Sequence, residues 1–139
     1  MKLLKDFLLV LLTVWFEMDK RLAKIKSASL EIKERNILNF WINVDYEDGL
    51  SQGIGGIVLD NYDNITKRRV GTAYGCEMIR RLLLTLNVND FSEMKGLIIW
   101  VYGEGSGFQY DVKGISRLKC ENYKDVLIFD DVYKEFGGE

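Results

Sequence analysis

Apolar and polar residues alternate without a break over residues 37–46, with Leu38, Phe40, Ile42, Val44 and Tyr46 on one side and Asn39, Trp41, Asn43 and Asp45 on the other. A period of two sends successive side chains to opposite faces, so this segment predicts a strand with one buried face. Residues 22–33 alternate less cleanly. Ala23, Ile25, Ser27 and Ser29 fall together, and Lys24, Lys26 and Ala28 fall opposite them, a half-exposed strand with its basic residues outward. Glu34, Arg35 and Asn36 make a turn between the two. Glu47, Asp48 and Gly49 make a second turn, into a third strand of the same antiparallel meander over residues 51–59. Gly53, Gly55 and Gly56 interrupt that third strand. They read either as a bulge or bend where another element crosses closely, or as backbone left bare for a ligand.

The period changes at Gly71. Cys76, Ile79, Leu82, Leu83 and Leu86 recur at the spacing of one buried helical stripe, and they predict a helix from Thr72 to Leu86. Thr72 is a capping residue for its first turn, and Glu77 places negative charge near its positive end. Asp60, Asn61, Tyr62, Asp63 and Asn64 read as a loop before it. After it, residues 87–96 read as a short helix capped by Asn89 or Asp90 and stopped by Gly96. Residues 97–102 and 108–118 predict two further strands joined by a glycine-rich loop. Residues 126–129 are a short apolar run, and residues 130–136 a last acidic helical turn. The fold class expected is α+β, a mostly antiparallel sheet packed on a central helix.

The first eighteen residues stand apart. Residues 8–16 are apolar except for Thr13 and follow Lys2 and Lys5, which is the outline of a signal peptide. Asp6 and the absence of a small-residue cleavage site speak against one, and the run is far shorter than the about 20 apolar residues of a membrane span. Residues 1–20 are therefore expected to form an extra N-terminal helix or an extension, with Met18 as an alternative start, ahead of a single domain over residues 21–139. Such a helix would cover Trp41, which otherwise stands exposed on the polar side of its strand.

Composition narrows the chemistry. Nineteen basic residues face twenty-one acidic ones in a chain of 139, so any nucleic-acid binding needs a local patch, for which Lys24, Lys26, Lys67, Arg68 and Arg69 are candidates. Histidine is absent, which removes the imidazole base, the Ser-His and Cys-His nucleophiles and histidine-bound metal. Cys76 and Cys120 lack metal-ligand spacing and read as buried thiols. Asp130 with Asp131, and Asp45 with Glu47, are solvated acids rather than a metal site. No catalytic residue, metal or cofactor is expected.

One corner invites a ligand. The helix start at Gly71, Thr72, Tyr74 and Gly75 offers free N–H groups and the positive end of the helix dipole, with Arg68 and Arg69 before it and Arg80 and Arg81 beyond. It matches neither a P-loop nor a dinucleotide fingerprint, and an ordinary capped helix explains the same residues. Trp41, Tyr46, Tyr62, Tyr74, Trp100, Tyr102, Phe108 and Tyr110 are rings placed to stack on a base.

The runs Lys-Ile-Lys-Ser-Ala-Ser-Leu at 24–30, Gly-Ile-Gly-Gly-Ile-Val-Leu-Asp at 53–60 and Arg-Val-Gly-Thr-Ala-Tyr-Gly at 69–75, with Glu77 and Ile79-Arg80-Arg81, resemble a family of small phage and prophage proteins. The resemblance covers residues 20–118. Where that family has Gly-Phe-Gly-Gly-Tyr this chain has Gly-Ile-Gly-Gly-Ile, and where it has Gly-Phe-Glu-Asp-His-Gly this chain has Ile-Lys-Glu-Arg-Asn, so it resembles a divergent member. The Thoeris anti-defence sponges, which sequester a cyclic ADP-ribose signal, are similar in size and distribution. What the resemblance implies is a phage anti-defence protein of the host-cell cytoplasm, a homodimer or higher homo-oligomer that binds a small nucleotide without catalysis and without a membrane. Arg68, Arg69, Gly71, Thr72, Tyr74, Gly75, Arg80, Gly55 and Gly56 are its candidate ligand-binding residues. Two alternatives remain open: an anti-CRISPR-like inhibitor that docks on a host defence protein through acidic residues, and a nucleic-acid-binding accessory protein.

Overall fold

Strict alternation over residues 37–46 becomes β2 (Ile37–Tyr46), the second strand of a six-stranded antiparallel sheet in a computed structural model that describes residues 19–120 and 122–137. The other strands are β1 (Asp19–Lys33), β3 (Ser51–Val58), β6 (Ile98–Glu104), β7 (Asp111–Arg117) and β8 (Leu127–Ile128), in the order β3-β2-β1-β6-β7-β8. A separate hairpin, β4 (Asp60–Asp63) with β5 (Arg68–Gly71), leads into helix α1 (Ala73–Leu86). A shorter helix, α2 (Phe129–Phe136), closes the described chain. The architecture is α+β, with β1 starting at Asp19, two residues ahead of the expected domain boundary. The N-terminal helix expected over residues 1–20 lies outside the described residues except at Asp19 and Lys20, which are strand instead because they pair with Gly103 and Tyr102, and any cover it would give Trp41 lies outside them too.

The core lies between one sheet face and the helices. Phe40, Ile42 and Val44 of β2 are wholly buried there with Ile25, Ile99, Val101 and Ile115 of the neighbouring strands, under Met78 and Leu82 of α1 and Val132 of α2. Burying such side chains stabilises by roughly 1.5–3 kcal/mol each.

Three departures from the sequence pattern have physical causes. A bulge in β1 between Ile25 and Ser27 inserts Lys26 as an extra residue and flips the alternation. Ser27 and Ser29 then sit beside Asn43 and Trp41, away from the core, and Ala28 turns toward it. Residues 60–63, expected as loop, form β4, because Asp60 and Tyr62 find ladder partners in Gly71 and Arg69. The helix expected over residues 87–96 shrinks to one 3₁₀ turn, Phe91–Met94, with the Asp90 side chain accepting from Ser92 N and Glu93 N.

The buried stripe of α1 is Gly75, Met78, Leu82 and Leu86, with Ile79 and Leu83 half-buried beside it. Cys76 is exposed rather than a buried thiol, and Cys120 is half-buried. At 100° per residue, a stripe through 75, 78, 82 and 86 turns position 76 outward.

Candidate functional site

The glycines of β3 serve Trp41. A β-bulge opposite Phe40 and Trp41 holds Gly55 at φ +135°, and a Cβ there would stand 2.2 Å from the Phe40 carbonyl oxygen. The indole lies across the bare backbone, since a Cβ on Gly53 or Gly56 would come within 3.2 Å or 2.8 Å of its ring. Lys33 Nζ sits 5.7 Å from that ring's centroid. Gly56 therefore belongs to the packing of Trp41. Gly55 also borders an open cleft.

At the helix start, Thr72 caps α1. Its Oγ1 accepts from Gly75 N at 2.9 Å and donates to the Leu59 carbonyl at 2.7 Å, so one hydroxyl ties the helix to the chain leaving β3. Thr72→Ala is expected to cost about 1 kcal/mol, read as a lower urea midpoint with an unchanged slope. Gly75 sits where α1 crosses Leu59, buried against its backbone. Two N–H groups of the first turn, those of Ala73 and Tyr74, meet no acceptor among the described residues.

Ala73 and Tyr74 line a groove of about 630 Å³ together with Asp60, Gly71, Thr72, Tyr133 and Phe136. Across the Tyr74 and Tyr133 rings, which stand edge to face at 5.6 Å, lies a larger cleft of about 800 Å³. Burial pushes the Tyr74 phenol above its ordinary value, with Tyr133 and Asp130 adding to the rise. Gly55, Tyr110 and Phe129 help to line this second cleft, and Glu104, Asp111, Asp130 and Asp131 give it an acidic character. Asp111 and Asp130 are paired with Lys113 at 2.7 Å and Lys134 at 3.0 Å, whereas Glu104 and Asp131 have no ion-pair partner among the described residues.

The arginines are less available than their sequence positions suggest. Arg69 donates to Asp60 Oδ1 at 2.7 Å and to the Asp60 carbonyl at 3.1 Å. Arg81 bridges Glu77 at 2.9 Å and Glu135 at 2.8 Å and lies over the Phe136 ring, joining α1 to α2. Arg80 is exposed with Glu77 at 3.5 Å, and Arg68 is exposed at the start of β5. The structure thus gathers Gly71, Thr72 and Tyr74 about one groove, sets Gly55 and Tyr74 on the next, and brings none of Arg68, Arg69 and Arg80 to either lining.

Among the other rings, Tyr102 is buried with its hydroxyl 3.0 Å from Ser116 Oγ, and Tyr62 is exposed on β4. The Phe108 side chain lies outside the described part of the structure. Among the described residues no three histidine, cysteine or acidic side chains are placed to hold a metal ion, and no helix is long and apolar enough to cross a membrane. Tyr133, which completes the wall between the two clefts, carries no sequence signal beyond its amphipathic position on a short helix. Comparison with protein-family models, curated proteins and solved structures finds no match to this chain.

Proposed function

We propose that the chain is a non-catalytic binding protein that sequesters a nucleotide signal of the cyclic ADP-ribose kind, in the role of a phage anti-defence protein acting in the host cytoplasm as a homo-oligomer. The observation that carries this reading is the pair of open N–H groups, of Ala73 and Tyr74, at the start of a fourteen-residue helix in a groove walled by two tyrosine rings. Helix N-terminal N–H groups favour phosphate oxygens, and ring faces accept any base. Asp60 on the groove wall has its charge offset by Arg69, and Arg68 shares a face of β5 with Val70, which lines the groove. The sequence resemblance at residues 69–75 points to the same residues.

Calorimetry with cyclic ADP-ribose isomers and cyclic oligonucleotides tests this. Binding of one of them is expected, with Tyr74→Ala weakening it about 5- to 150-fold, as the loss of one base stack worth about 1–3 kcal/mol implies. The bound compound should be recovered with its mass unchanged. No binding by any of these compounds at micromolar concentrations ends the reading.

The acidic cleft favours a second reading, an inhibitor that docks on a host defence protein. Glu104 and Asp131, without ion-pair partners among the described residues, line this cleft with Val112 and Phe129 and suit a basic partner. A host-lysate pull-down that retains a protein with the wild-type chain, and loses it with Asp131→Lys, would favour this reading; retention of a small molecule alone would favour the first.

A further inference from the structure

Pairing between β1 and β2 stops at Ala23 opposite Tyr46, where β2 turns away through residues 47–49. β1 runs on to Asp19, paired among the described residues only with β6, from Leu22 opposite Trp100 to Asp19 opposite Gly103. A hollow of about 410 Å³ is left along this open edge, and Lys20, Arg21, Tyr46, Glu47, Asp48 and Trp100 line it. Because it follows the strand edge, it reaches side chains from both faces of the sheet.

Arg21 is the unusual member. Its guanidinium lies 3.9 Å from the Tyr110 ring centroid and 5.6 Å from that of Tyr46, two rings set edge to face. Its Nη1 is buried without a hydrogen-bond partner, and no carboxylate lies within ion-pair distance of it among the described residues. Arg69 and Arg81 each hold a carboxylate at 2.9 Å or less, whereas Arg21, also shielded from solvent, holds none among the described residues. Lys20 likewise has no ion-pair partner among the described residues, its Nζ resting 4.5 Å from the Trp100 ring centroid. Ring faces offset part of the cost of removing a cation from water, but they supply no anion. Burial pushes the Tyr46 phenol up to about 12 against the pull of Arg21, with Asp48 adding to the rise, so the ring stays neutral and supplies no anion to the guanidinium.

We propose that this hollow is a phosphate site, in which Arg21 and Lys20 donate to the phosphate oxygens of a nucleotide. The guanidinium fork, with the Lys20 ammonium reaching the hollow from the opposite face of the sheet, matches a doubly charged pyrophosphate group better than a single carboxylate. Glu47, which has no ion-pair partner among the described residues, and Asp48, which accepts from Leu50 N, stand at the rim as acceptors for ligand hydroxyl or amino groups. In naming a nucleotide the inference rests on the reading above; it adds a second phosphate site at another edge of the domain, separate from the one at the start of α1.

Calorimetry of the full chain with inorganic pyrophosphate and with cyclic ADP-ribose tests it, on wild type, Arg21→Met, Arg21→Lys, Lys20→Met and Tyr74→Ala, each checked for folding by circular dichroism. Pyrophosphate is expected to bind wild type and Tyr74→Ala alike, at least tenfold more weakly to Arg21→Met and several-fold more weakly to Arg21→Lys and Lys20→Met. Arg21→Lys and Lys20→Met keep the test decisive if Arg21→Met does not fold. Cyclic ADP-ribose bound equally by wild type, Arg21→Lys and Lys20→Met, but lost in Tyr74→Ala, overturns this site and leaves the proposed function standing. Arg21-dependent pyrophosphate binding with no nucleotide binding supports the anion site and removes the nucleotide reading. Failure of both compounds to bind wild type overturns both.

Discussion

Gly75→Ala is expected to destabilise the fold by about 3 kcal/mol and to lower its thermal midpoint by about 10 °C, while Gly71→Ala, four residues earlier, changes it by less than about 0.5 kcal/mol. Neither prediction comes from glycine's backbone freedom, because neither residue has a positive φ. The difference is space. A Cβ on Gly75 would stand 1.9 Å from the Leu59 carbonyl oxygen and 2.8 Å from its carbon, which is backbone and cannot rotate away; around Gly71 nothing lies within 4 Å. Relief at Gly75 requires α1 to lift off the chain at Leu59, which opens the Thr72 hydroxyl bond to that same carbonyl and loosens Met78 and Leu82 below. Helix propensity works in the other direction, since alanine is the better helix former by about 1 kcal/mol, and the net loss is therefore a measure of the steric term. Thermal unfolding followed by circular dichroism separates the two variants, and equal midpoints would mean that the crossing is not tight.

The same crossing shows what the sequence reveals and what it hides. The alternation of β2 and the stripe of α1 are legible because each is a single period read against one buried face. β1 is not, since one inserted residue at a bulge reverses every later side chain and leaves no mark in composition. Gly53, Gly55 and Gly56 signal close approach, but the group that approaches is Trp41 of the neighbouring strand, and cross-strand register is not written in either segment alone.

Charge at the candidate site was hidden for a related reason. Arg69 and Arg81 read as free cations beside a helix, yet their partners Asp60, Glu77 and Glu135 are set by tertiary packing as well as by local spacing. Only Glu77, four residues before Arg81, is readable from the chain. Conversely, Arg21 follows an acid at position 19 and precedes an apolar residue, and nothing in that context announces a guanidinium stacked on tyrosine. The glycine and threonine at the start of α1 were readable as a cap and remain one; the groove beside them depends on Tyr133, fifty-nine residues beyond Tyr74.

Asp60→Ala is the second substitution expected to have a large effect, a loss of about 3 kcal/mol at neutral pH. Asp60 is 7 % exposed, accepts from Arg69 at 2.7 Å through Oδ1 and from Leu38 N at 3.2 Å through Oδ2, and so fastens the β4–β5 hairpin to β2. Removing the carboxylate leaves a backbone donor and part of a guanidinium without their acceptor. The hydrogen bond from Arg69 holds the Asp60 carboxyl below its ordinary 3.8, against the opposing effect of burial, with the Leu38 bond adding to the depression. A depressed folded value means that the stabilisation is fully present above 3.8 and is lost as pH falls through the folded value. The gap in urea midpoint between wild type and Asp60→Ala should accordingly be widest near pH 7 and close as the medium is acidified below 3.8 and through the lower folded value. Asp63 and Asp90 are also depressed, but both proteins carry them, so their contribution cancels in the difference. Asp60→Asn, which keeps the shape without the charge, should show at neutral pH the stability that wild type retains at this position in acid. A gap that stays constant across this range would place the effect of the alanine in lost packing rather than in the ion pair.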